Sequence, residues 1–65
     1  MIHVLRVWPN AGVNVWYTCD EPLLAVHTHL AQVIAQWDGA AHWQQVSDHT
    51  WKNAATGERI ELLVL

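Results

Sequence analysis

Five histidines, a single cysteine and the adjacent pair Asp48-His49 are the residues of this chain with chemistry to offer, and their spacing limits what they can do. His27 and His29 stand two apart in a helical segment, where side chains diverge by about 200°, so they cannot chelate one ion. A tertiary set is geometrically better. His3 and His49 are expected on the helix-facing side of a sheet and His27 on the buried stripe of the helix, and three imidazoles meeting there would bind Zn²⁺ with one open position. Against this, separate half-buried histidines satisfied by their own hydrogen bonds are the commoner arrangement. His3, His27 and His49 are therefore the only metal candidates, none is assigned as a ligand, and His29 and His42 read as exposed.

Nucleophilic catalysis finds parts without a frame. Cys19 and Ser47 lack a glycine-flanked elbow or Cys-Gly context, and Asp48 and His49, as neighbours on a strand, would point to opposite faces. Cys19 reads as a small buried hydrophobe at a strand end, and as the only cysteine it excludes an internal disulfide. The three glycines, Gly12, Gly39 and Gly57, stand alone at turns, so there is no phosphate-cradling loop. A domain of this size also rarely holds a pocket of the roughly 300 Å³ a small ligand needs. The expectation is a protein that is not an enzyme and carries no cofactor.

The 65 residues suffice for one domain with a thin core. A hydrophobic fraction of 52% with only 14% charged residues places the chain well inside the folding range. The formal charge is −3, and Arg6, Lys52 and Arg59 are too few to neutralise phosphates, which argues against nucleic acid as a partner. No stretch reaches the roughly 18 apolar residues of a membrane span, and Met1 to Arg6 lack a basic leader, so no membrane partner and a cytoplasmic location are expected. Five Trp, eight Ala and eight Val beside one Lys and no Phe are what a GC-rich genome, bacterial or phage, would encode.

The elements that position these residues follow from pattern and turn chemistry. Residues 2–8 and 13–18 are rich in β-branched side chains and flank Pro9-Asn10-Ala11-Gly12, a hairpin. A three-residue loop 10–12 with left-handed Gly12 sets Pro9 opposite Val13, Val7 opposite Val15 and Leu5 opposite Tyr17. One face then carries His3, Leu5, Val7, Val13, Val15 and Tyr17, and the other Ile2, Val4, Arg6, Trp8, Asn14, Trp16 and Thr18.

A helix over about 21–37 follows, with Asp20 as cap, Glu21 at the positive end of the dipole and Pro22 in the first turn. Leu23, Val26, His27, Leu30, Val33, Ile34 and Trp37 form its apolar stripe, and Gly39 its C′ residue. Residues 43–53 and 58–64 form a second hairpin, whose first strand Ser47-Asp48 could bend or bulge. A four-residue loop ending on left-handed Gly57 pairs Asn53 with Glu58, Trp51 with Ile60 and His49 with Leu62. A three-residue loop would set Lys52 against Ile60 and Asp48 against Val64, burying charge, and is rejected. Trp43, His49, Trp51, Ile60, Leu62 and Val64 then face the core, with Asp48, Thr50, Lys52, Arg59 and Glu61 outside.

The fold class expected is α+β in the order ββαββ, a four-stranded, mainly antiparallel sheet with one helix on one face and about a dozen large side chains between them. One helix cannot cover both faces. Ile2, Val4, Arg6, Trp8 and Trp16, with Leu63 and Leu65, are expected on the uncovered side as an apolar and aromatic patch of the kind that marks interfaces. The plainer alternative is that Arg6 only stacks on Trp16 across the strands. The function expected is a small non-catalytic module that binds a protein partner or a second copy of itself as a homodimer through that face. A histidine-based metal or pH response is the alternative, and a minimal enzyme the last.

Overall fold

A computed structural model describes all 65 residues. Strands β1 (Ile2–Trp8) and β2 (Gly12–Cys19) form the first hairpin, α1 (Leu23–Ala35) follows, and a 3₁₀ turn (Ala40–His42) leads into β3 (Trp43–Ser47), β4 (Thr50–Asn53) and β5 (Arg59–Val64). The α+β class stands, but the sheet has five strands, not four, in the order β2-β1-β5-β4-β3 with every neighbouring pair antiparallel. The extra strand arises at Ser47-Asp48, where the bend expected of one long strand is a full reversal. The Ser47 hydroxyl accepts the His49 N–H there (3.3 Å), and Thr50 comes back opposite Ser47 with a bulge at Val46. His49 thus leaves the core face for an exposed turn, although its carbonyl still accepts the Leu62 N–H at 2.8 Å.

The β4–β5 register is the one the four-residue loop requires. Trp51 pairs with Ile60 and Lys52 with Arg59, and the Asn53 N–H donates to the Glu58 carbonyl at 2.8 Å. Gly57 has φ 79°, and its N–H donates to the Asn53 carbonyl (2.9 Å). Asn53, the one buried polar residue, holds the loop by accepting the Ala55 and Thr56 N–H groups on its Oδ1 at 2.8 and 3.1 Å.

The first hairpin differs. Trp8 pairs with Gly12, Val7 with Val13 and Leu5 with Val15, after which Trp16 is an extra residue and Val4 pairs with Tyr17. The loop is therefore shifted by one residue toward Trp8, and the bulge puts Tyr17 on the face opposite to Val13 and Val15.

The larger correction is which face the helix covers. Ile60 and Leu62 point inward from β5, and their β1 partners are Arg6 and Val4, so the even-numbered side chains of β1 face the helix. Ile2 and Val4, expected on the bare face, are 3% and 0% exposed in the core. The long-range β1–β5 pairing decides this, and nothing local to the hairpin encodes it.

The helix starts at Leu23 and ends at Ala35, two residues inside each expected limit. Asp20 does not cap it. The N-cap is Pro22, without a side-chain hydrogen bond, and Asp20 lies instead 4.0 Å from the amino terminus. Past Ala35 the turn tightens, Trp37 donating its N–H to the Ile34 carbonyl (3.1 Å), and left-handed Gly39 opens the 3₁₀ turn rather than closing α1. Val26, Leu30 and Ile34 bury their side chains against Ile2, Val4, Trp51, Ile60 and Leu62, an eight-residue core smaller than the dozen expected. Val64, expected inside, is half exposed.

Candidate functional site

Arg6, Trp8 and Trp16 do come together, on the helix side of the sheet. Because α1 stops at Ala35, it leaves the Trp8 end of β1 uncovered, and the connection to β3 brings Trp37 and Trp43 into that space. The Arg6 guanidinium carbon lies 5.2, 5.0 and 5.0 Å from the ring centroids of Trp8, Trp16 and Trp37, and Arg6 Nη2 pairs with Glu58 Oε2 at 3.1 Å. Trp37 adds edge contacts to Trp43 (5.5 Å) and a tilted one to Trp16 (5.7 Å). The stacking alternative for Arg6 is what occurs. Three indoles around one cation form a cage in which the chain's own arginine occupies the place an external cation would take. Alternation along β2 turns Trp16 inward after Val15, and the bulge places Tyr17 on the same side, its ring 5.5 Å from that of Trp16.

The histidines do not converge. His3 is on the face away from the helix, hydrogen-bonded through Nδ1 to the Thr18 hydroxyl (2.8 Å). His27 packs on Trp51 with centroids 4.7 Å apart, and its Nε2 accepts a hydrogen bond from the Gln45 amide (2.8 Å). His27 and His49 share a shallow depression of about 280 Å³ with Leu23, Leu24 and Asp48, but the sheet separates both from His3. No group of three His, Cys, Asp or Glu side chains is disposed to hold a metal ion.

A second depression of about 260 Å³ lies between β2 and the start of α1, lined by Tyr17, Cys19, Glu21, Val26 and His29. Cys19 is half-buried at the end of β2 and packs against the core, as a small hydrophobe would. The buried Tyr17 hydroxyl has no hydrogen-bond partner, and burial pushes its pKa up, with smaller contributions from Cys19 and Glu21. Tyr17→Phe is therefore expected to stabilise the fold by up to about 1 kcal/mol in thermal or urea melts near neutral pH. A raised folded-state pKa contributes stability below the ordinary tyrosine value of 10.0 that is lost as pH rises through the folded value. The parent should thus weaken above that pH more steeply than Tyr17→Phe. A variant less stable than the parent at neutral pH would show that the hydroxyl is satisfied.

The remaining surface of interest is the sheet face without a helix. Val13 and Val15 of β2 are 61% and 60% exposed and Leu63 of β5 is 47% exposed, with half-buried Leu5 and Val7 of β1 beside them. Arg59 and Glu61, 3.6 Å apart, and Lys52 border this patch. Of the residues expected there, Leu63 lies on it and Leu65, just past β5, is exposed. Ile2 and Val4 are core, and Arg6, Trp8 and Trp16 build the aromatic cluster. Leu5, Val7, Val13 and Val15, expected on the core face, form the patch in their place. The inward Ile60 and Leu62 are the signal that points to this, once β1 is paired with β5. No helix is long and apolar enough to cross a membrane. Comparison with protein-family models, curated proteins and solved structures gives no match for this chain.

Proposed function

We propose that this chain is a non-catalytic protein-interaction module whose contact surface is the helix-free face of the sheet. The observation that carries this is the set of exposed aliphatic side chains, Val13, Val15 and Leu63 around Leu5 and Val7, on the face without a helix. Contiguous apolar surface of this kind is characteristic of interfaces. A core of eight residues in a 65-residue chain is also thin enough for an added contact surface to contribute usefully to stability.

The test is site-specific photocrosslinking in cells that make the protein, with a benzophenone amino acid at Val15 or, as control, at Thr28 on the exposed side of α1. Covalent protein adducts should form several-fold more from position 15. Equal yields from the two positions would overturn the reading.

A further inference from the structure

We infer that the occupant of this face is a second copy of the chain, related by a two-fold axis running across the strands along the row Asn14, Arg6, Ile60 and Trp51. This deepens the interaction-module reading and rests on it. Those four residues are cross-strand partners in β2, β1, β5 and β4, and they mark one straight line across the sheet. On the helix-free face, one row of side chains flanks the line on each side. The first row is Val13, Val7, Arg59 and Lys52, and the second is Val15, Leu5, Glu61 and Thr50.

A two-fold axis along the line lays the first row of one copy over the second row of the other. Val13 then meets Val15, Val7 meets Leu5, Arg59 meets Glu61 and Lys52 meets Thr50, each contact occurring twice. In β2 and β1 aliphatic residues face aliphatic ones, in β5 the base faces the acid, and in β4 Lys52 faces the neutral Thr50. Rotating instead about an axis parallel to β5 would set Arg59 against Arg59 and Glu61 against Glu61, so the charges select between the two arrangements. Aligned sheets cross at about 30°, which makes the match closest at the centre, in β1 and β5.

The size is adequate. The molecule measures 31 × 24 × 18 Å, and a face spanning its two longer dimensions covers roughly 600 Å². A face-to-face pair then buries about 1,200 Å² in total, the lower end of stable interfaces. On the other face Arg6 and the indoles contact one another, and Trp16 is the one indole that is exposed, at 38%.

The decisive experiment is sedimentation of the full chain with charge-reversed variants. Wild type should be dimeric at high micromolar concentration. Arg59→Glu and Glu61→Arg should each weaken dimerisation at least about tenfold, because each sets like charges face to face. An equimolar mixture of the two variants should recover a dimer, since each then meets the opposite charge on the other. The Arg59 side chain is 46% exposed and that of Glu61 36% in the single chain, and circular dichroism verifies that each variant is folded. Independently of any variant, a mixed-label wild-type sample should give intermolecular NOEs between the methyl groups of Val13 and Val15.

A wild type that stays monomeric at roughly 1 mM overturns the inference. So do variants that dimerise undiminished, a mixture that fails to associate, or NOEs between other rows. A monomer whose Val15 crosslinks to a different protein would overturn the second copy while leaving the interaction-module reading intact. A monomer with no preferential crosslink at Val15 would end both.

Discussion

Leu30→Ala is expected to remove about half of the folding free energy. Leu30 is 0% exposed at the centre of the helix stripe, between Val26 and Ile34, and faces the inward side chains of the sheet. Truncating a buried leucine removes its transfer free energy and leaves a cavity, together about 2–5 kcal/mol. A domain of this length has roughly 3–10 kcal/mol in all. Urea denaturation followed by far-UV circular dichroism should show the midpoint falling by about half, with native tryptophan emission lost at correspondingly lower urea as Trp51 is released. Leu24→Ala, at a position 78% exposed on the other side of α1, should stay within about 0.5 kcal/mol of the parent. Equal, small losses at the two positions would mean that α1 does not pack by this stripe.

Gly57→Ala should be the costliest change at a surface turn, by about 2–3 kcal/mol. Two effects combine there. Gly57 has φ 79°, in the left-handed region where a Cβ costs about 1–2 kcal/mol. A Cβ would also stand 2.9 Å from Cγ of Pro9, in the turn of the other hairpin. The two contributions are separable. Gly12 has φ 81° with nothing within 4 Å of the place a methyl would occupy, so Gly12→Ala should show the backbone cost alone. Adding Pro9→Ala to Gly57→Ala should recover the steric part, a coupling that a double-mutant cycle in thermal melts measures directly. Equal losses for Gly12→Ala and Gly57→Ala would show that the two turns do not touch.

Much of the fold is legible where the determinants are local. The stripe from Leu23 to Trp37 marks the helix, and Gly57 with the cost of burying Lys52 selects the β4–β5 register that the structure has. The first hairpin is recognisable as a hairpin, yet both of its expected faces carry four or five apolar residues, so period two alone does not choose between them. Arg6 weighs against its own face, and in the structure that arginine is accommodated by Glu58, 52 residues away, and by Trp37. The Trp16 bulge then splits β2 between the two faces. The choice of face and the accommodation of Arg6 both depend on neighbours distant along the chain. The candidate surface follows the same rule: that one face stays bare is readable from the single helix, but its membership is inverted with the hairpin, leaving Leu63 in place and exchanging Ile2 and Val4 for Val13 and Val15.

The position of β5 governs the order of events during folding. It lies at the middle of the sheet but comes after every other element along the chain. Two local hairpins, β1–β2 and β3–β4, can form as soon as their residues exist, but isolated hairpins are marginal in water. Only β5 joins them, through the Ile2–Val64 pairing at one border and Trp51–Ile60 at the other. Cooperative structure should therefore be absent from a growing chain until β5 leaves the ribosome, after which it arrives in one step limited by closure of the long β1–β5 loop.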